Sequence, residues 1–169
     1  VLQDQAGFIW IGSKNGLYRF DGVHFDLYSM HTKSQFIHQL YEREDHLLFV
    51  NDMGIYQIDD LLSQPKVNPI LEGTINDTAG LPFYPNDFAL GKDQDIWLAQ
   101  SNHSIGRLRQ GDFETYRFSK TNKAQKLAIQ KDSKGGVWVL SPLDGLFFFD
   151  KTTNTFEKKL NIKNGNALL

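Results

Sequence analysis

The chain has 169 residues, no cysteine and a net charge of −2. That composition leaves disulfide and thiolate chemistry out of these residues, and gives no electrostatic case for nucleic acid or an anionic membrane surface. No run of 18 apolar residues exists, so no helical membrane span is expected, while 13% aromatics and 14 glycines favour strands joined by tight turns.

Read in order, the chain opens directly in a strand-like segment at Val1, with no signal peptide visible. A polar turn over Asp4, Gln5, Ala6 and Gly7 precedes an apolar strand Ile9-Trp10-Ile11. A glycine loop ending at Gly16 leads to Leu17-Tyr18-Arg19-Phe20, and a tight Asp21-Gly22 turn to an edge strand, Val23 to Tyr28. Phe36 to Tyr41 reads as an innermost strand, followed by Leu47 to Val50 and by Gly54 to Asp59. Gln64 to Asn86 holds four of the five prolines and reads as an outer strand followed by an extended loop. Ile96 to Ala99, Ile105 to Leu108 and Phe113 to Tyr116 repeat the pattern, and the polar stretch Ser119 to Lys126 reads as a loop between repeats. Val137 to Leu140, Gly145 to Asp150 and Phe156 close the series. The Trp strands are apolar at consecutive positions, as expected where both faces of a sheet are covered.

The segments superimpose as four repeats with anchors at Trp10, Phe49, Trp97 and Trp138, separated by 39, 48 and 41 residues. In the first and fourth, Gly7 and Gly135 precede the Trp by three, and Asp4 and Asp132 by six. A period near 40–45 residues is that of one four-stranded propeller blade. The fold class is therefore all-β: a β-propeller of four-stranded antiparallel blades over residues 1–169, with about four blades in this chain. A sandwich or barrel with accidental self-similarity is the alternative. Asp4, Gly7, Gly16, Asp132, Gly135 and Gly145 recur at turns, where Asp accepts from backbone N–H groups and Gly takes positive φ. Trp10, Trp97 and Trp138 recur inside apolar strands, which points to packing between blades.

No catalytic constellation stands out. The five histidines lack metal-ligand spacing, so no metal and no cofactor are expected. The carboxylates Asp93 and Asp95 recur with Asp4 and Asp132 at the same turn, and Asp21, Asp59 and Asp150 at another, which suits capping rather than acid–base work. Arg107 and Arg109 stand without the further arginines a carboxylate-binding cluster needs. Ligand binding is expected on one rim, formed by the loops between the two middle strands and the loops leading into the innermost strand. The middle loops carry Lys14, Asn15, Asn51, Asp52, Ser101 to His103 and Asp144; the others carry Lys33 to Gln35, Phe83 to Asn86 and Asn122 to Gln125. Phe83, Tyr84, Asn86, Asn51, Asp52, Asn102, His103 and Asp144 are the candidate ligand contacts, with Phe83-Tyr84 first because aromatics beside prolines have no evident folding task.

The run Asp4 to Gly12 followed by Gly16 to Asp21, and Asp132 to Val139 with Gly145 to Asp150, resembles the two-component regulator propeller repeat family. Trp97 with Ala99, and Gly54 with its apolar strand, match more loosely. The resemblance implies the periplasmic sensor region of an inner-membrane receptor with a histidine kinase or diguanylate cyclase output; no kinase, cyclase or membrane segment lies in these residues. It implies a non-catalytic role, with an oligosaccharide or other small polar ligand as partner. It also implies that the chain is part of a larger, seven-bladed-type propeller, its end blades packing on further blades of the parent or on a second copy; a closed four-bladed ring is the alternative. A carbohydrate-active propeller lyase or glycosidase, and a protein-interaction platform, are the rival readings.

Overall fold

The turn signals and apolar runs give strands throughout. The computed structural model describes residues 1–28, 32–43, 46–73, 84–91, 94–118 and 126–161, and among them every regular element is a strand. In chain order these are β1 (Leu2–Gln3), β2 (Ile9–Ser13), β3 (Gly16–Phe20), β4 (Phe25–Tyr28), β5 (Ile37–Arg43), β6 (His46–Asn51), β7 (Gly54–Asp59) and β8 (Lys66–Glu72). They continue as β9 (Pro85–Leu90), β10 (Ile96–Gln100), β11 (Ser104–Arg109), β12 (Asp112–Arg117), β13 (Ala128–Lys131), β14 (Val137–Ser141), β15 (Gly145–Asp150) and β16 (Thr155–Leu160). Each consecutive set of four pairs antiparallel in sequence order, giving four meandering sheets: β-propeller blades. Pro85 begins β9, and Pro69 lies in the outer strand β8 beside a register shift, both positions where a missing N–H is tolerated.

Hairpin chemistry follows the sequence. Asp4 and Gly7 close the β1–β2 turn with a Gly7 N–H to Asp4 carbonyl bond of 3.0 Å, Gly7 holding φ at 92°. Asp132 and Gly135 repeat it, at 3.0 Å and 81°. In the third sheet Gly91 stands in the place of Asp4: its N–H reaches the Asp95 carbonyl at 2.8 Å, as the Asp4 N–H reaches the Phe8 carbonyl at 3.0 Å, and Gln94 takes the positive φ.

The chain divides into two compact units, Val1–Asp77 and Thr78–Leu169. In the first, β1–β4 packs on β5–β8 through Trp10, Leu17, Ile37, Leu47, Phe49, Tyr56 and Ile58. Gly12 permits the close approach: a Cβ there would meet Ile37 Cγ2 at 2.6 Å. In the second, β9–β12 packs on β13–β16 through Trp97, Ala99, Ile105, Ile129, Val137, Val139 and Phe149. Its aromatic rings interlock edge to face, with Trp97 and Phe149 centroids 4.6 Å apart and Tyr116 and Phe156 5.4 Å apart.

The register corrects one sequence alignment. Trp10, Trp97 and Trp138 each stand three residues before the last residue of their strand, Ser13, Gln100 and Ser141. Counting back from Asn51, the last residue of β6, gives Leu48, which pairs with Gln57 just as Trp10 pairs with Arg19. Phe49 lies one residue later and points to the opposite face, into the core cluster that also holds Trp10.

Candidate functional site

On the first unit the residues expected at the rim cluster at the β6–β7 turn and at the start of β5. Asn51 is fully buried; its amide N–H donates to the Ser34 carbonyl at 2.5 Å and its Oδ1 accepts from Met53 N at 2.8 Å. It therefore fixes the loop that presents Asp52. Asp52 meets His38 Nε2 at 2.5 Å and accepts from Ser34 Oγ at 3.3 Å. A register shift between Ile37 and Gln39 accompanies His38, and the His38 ring lies 4.6 Å from that of Phe36, which is 38% exposed. Beside them Tyr56 donates its hydroxyl to Glu72 Oε1 at 2.6 Å, and Lys33 Nζ lies 3.5 Å from Glu72 Oε2. Burial, followed by the bond to the Glu72 carboxylate, pushes the Tyr56 hydroxyl well above its usual range, so it remains a donor. Lys14, on the β2–β3 turn, places Nζ 5.7 Å from the Phe36 ring centroid. Phe36 and His38 were absent from the expected ligand contacts; their one signal was alternation about the buried Ile37.

On the second unit Tyr84 is 44% exposed with φ at 49°, and its carbonyl accepts from Ser101 Oγ at 3.0 Å. That bond ties the segment before β9 to the β10–β11 turn, where Asn102 is exposed, accepts from Ser104 Oγ at 2.5 Å, and precedes His103 at φ 64°. Asn86 is half-buried and lies inside β9, not in the loop before it. Asp144 accepts from Ser141 Oγ at 2.8 Å and returns a backbone N–H to the same hydroxyl at 3.2 Å, a self-contained turn. Phe83, like Asp93 and Asn122 to Gln125, lies outside the described residues.

The repeated residues do more than cap turns. Asp4 Oδ1 accepts from Phe8 N at 2.9 Å while its Oδ2 accepts from the Trp10 indole at 2.8 Å. Asp132 does the same with Gly136 N at 2.8 Å and Trp138 at 2.9 Å. The indole, then the Gly136 amide, hold the Asp132 carboxyl below its ordinary value. Asp95 departs from this pattern. It binds Arg107, at 2.8 Å to Nε and 2.5 Å to Nη2, and both side chains are about 5% exposed. Arg107 also lies over Trp97 and Phe149 and donates to Asn154 Oδ1 at 3.0 Å. Arg19 occupies the matching position opposite Trp10, donating to the Leu61 carbonyl at 2.9 Å with Phe8 beneath its guanidinium. Arg107 thus joins two blades through Asp95 on its own sheet and Phe149 and Asn154 on the next.

Each unit also has a cleft at the opposite strand ends. That of the first unit is about 520 Å³, lined by Asp4, Ala6, Glu42, His46, Asp59 and Leu61; that of the second is about 420 Å³, beside Asp95, Asp132, Gly136 and Phe148. Within the described residues no group of three or more His, Cys, Asp or Glu is placed to hold a metal ion.

No family model and no curated protein matches the chain. Solved structures do. The extracellular domain of BT4673 from B. thetaiotaomicron, assigned as a one-component system, aligns with a TM-score of 0.67 at 20% identity over 93% of this chain and 21% of that one. The extracellular domain of BT3049 from the same organism, assigned as a hybrid two-component system, aligns at 0.64 and 19% over 92% and 22%. An auxiliary nutrient binding protein from Bacteroides thetaiotaomicron aligns at 0.66 and 9% over 99% and 43%. The chain spans about a fifth of the length of the first two, and shares with all three the fold of its β-propeller blades.

Proposed function

We propose that this chain is an extracytoplasmic ligand-sensing propeller region of a bacterial signal-transduction receptor, non-catalytic and binding an oligosaccharide or similar polyol at its rim. The observation that carries the reading is the rim of the first unit, where Phe36, His38, Asp52, Lys33 and Glu72 place an exposed ring among paired polar groups. An aromatic face with hydroxyl-seeking groups around it suits a sugar, whose axial C–H face is apolar and whose edge is polar. Two further supports are the shared fold with extracellular domains assigned to signalling systems, and the repeat motif itself. The length of those proteins supports placing this chain within a larger propeller; the periplasm as its compartment and a kinase or cyclase as its output rest on the resemblance of the repeat motif alone.

The self-contained pairing of the rim carboxylates favours binding over turnover, since Asp52 and Glu72 each already hold a partner. Isothermal titration of the purified protein with a panel of oligosaccharides tests this. At least one is expected to bind, with Phe36→Ala or Asp52→Asn removing the signal while the unliganded melting temperature stays within a few degrees. Binding that survives both substitutions, or hydrolysis or lyase cleavage of the added sugar, overturns the reading.

A further inference from the structure

We infer that the rim of the first unit contains a subsite for an acidic sugar, with Lys14 receiving the carboxylate or sulfate and Phe36 supporting the ring; this rests on the sensing role above. The argument is one of charge left over. Of the described charged groups on this rim, Asp52 is hydrogen-bonded to His38, and Glu72 is ion-paired with Lys33, with Tyr56 as an additional donor. Lys33 Nζ is further engaged by the Gly73 carbonyl at 3.3 Å. Lys14 is exposed, and among the described residues it has no carboxylate within ion-pair distance; its one described partner is the Phe36 ring at 5.7 Å. An ammonium on an aromatic face retains most of its hydration, so it is free to form a charge-assisted hydrogen bond with a ligand anion.

The geometry adds direction. Lys14 comes from the β2–β3 turn and Phe36 from the start of β5, so two adjacent blades converge on one spot. The Asn15 N–H donates to Ser13 Oγ at 3.0 Å and Ser13 Oγ donates to the Gly16 carbonyl at 3.0 Å, which fixes the turn carrying Lys14. Phe36 N donates to Ser34 Oγ at 3.2 Å, fixing the ring's backbone. A pyranose lying on the exposed part of Phe36 would bring an equatorial C6 carboxylate within reach of Lys14, while its hydroxyls faced the His38–Asp52 pair. A neutral hexose would make the ring contact without the charge.

Titration calorimetry at low salt with two probes, a glucuronic acid tetrasaccharide and a glucose tetrasaccharide, tests the assignment on wild type, Lys14→Gln and Phe36→Ala. The uronate is expected to bind wild type roughly tenfold tighter than the neutral sugar, the worth of one charge-assisted hydrogen bond. Lys14→Gln should erase that difference without weakening the neutral sugar, and Phe36→Ala should weaken both. Salt should reduce only the uronate's affinity. Equal affinity of wild type for the two probes, or a uronate preference that survives Lys14→Gln, overturns the acidic subsite while leaving sugar sensing intact. No binding of either probe overturns the subsite, and extending the titration to the wider panel then shows whether sugar sensing itself fails.

Discussion

The two units build the same blade joint with different wiring. In the first, Asp4 stands six residues before Trp10 and holds its indole, while Arg19 opposite reaches the Leu61 carbonyl and has Asp26, half exposed, at 3.5 Å. In the second, the carboxylate stands two residues before Trp97 and holds Arg107 instead, in a pair from which solvent is nearly excluded. Burial opposes the charge on Arg107, but the hydrogen bonds to Asp95 and Tyr116 and the Asp95 charge hold its pKa above the usual value. The lesson is that a tryptophan between blades needs a polar clamp nearby, and that the clamp can serve either the indole or the cation stacked on it.

The largest expected effect breaks this comparison in the second unit. Asp95→Ala takes the buried carboxylate from Arg107, leaving it Asn154 and the half-exposed Glu114 at 3.9 Å, and should cost about 3–5 kcal/mol, measured by urea unfolding. Asp26→Ala, the corresponding loss for Arg19, should cost less than about 1 kcal/mol because that pair faces water. Equal losses would show that the two joints are not wired differently. Next comes Trp97→Ala, at about 3–5 kcal/mol, against a smaller loss for the half-buried Trp138→Ala. Asp4→Ala should cost about 1–3 kcal/mol by leaving the fully buried Trp10 indole without an acceptor, and Asp4→Asn should recover part of it.

The smallest effect is a pH dependence at the turns. The His24 and Val23 backbone amides hold the Asp21 carboxyl at about 2, against an ordinary 3.8. A depressed carboxylate contributes its stabilisation above the unfolded value, and loses it as pH falls through the folded one. The difference in melting temperature between wild type and Asp21→Asn should therefore be constant above about pH 5 and shrink as pH falls through 3.8 towards 2. A difference unchanged over that window would show that the turn, not the charge, matters.

Much of this architecture was legible in the residues. Turn chemistry at Asp4-Gly7 and Asp132-Gly135 and the spacing to each Trp located the strands and their blades. Phe49 was misplaced by one because Leu47-Leu48-Phe49-Val50 is buried on both faces and carries no alternation; only Asn51 and Gly54 set its register. The Arg107–Asp95 pair was hidden because it depends on which residues face each other across β10 and β11, and a carboxylate at the usual turn position looked like one more cap. Phe36 and His38 read as an inner strand, and a register irregularity at the start of β5, which no composition signals, accompanies His38 at the rim. The rim loops differ between repeats, so periodicity, which finds the frame, says least about the part proposed to bind.

Sensing without turnover is the central claim, and thermal melting against an oligosaccharide panel, with mass spectrometry of the recovered sugar, tests it most directly. A sugar that binds only the folded state stabilises it by about 2.7 kcal/mol at a hundredfold excess over its dissociation constant. The account predicts a raised melting temperature for at least one oligosaccharide, lost in Phe36→Ala, with the sugar recovered intact. A shortened or unsaturated product, or no shift across the panel, would contradict it.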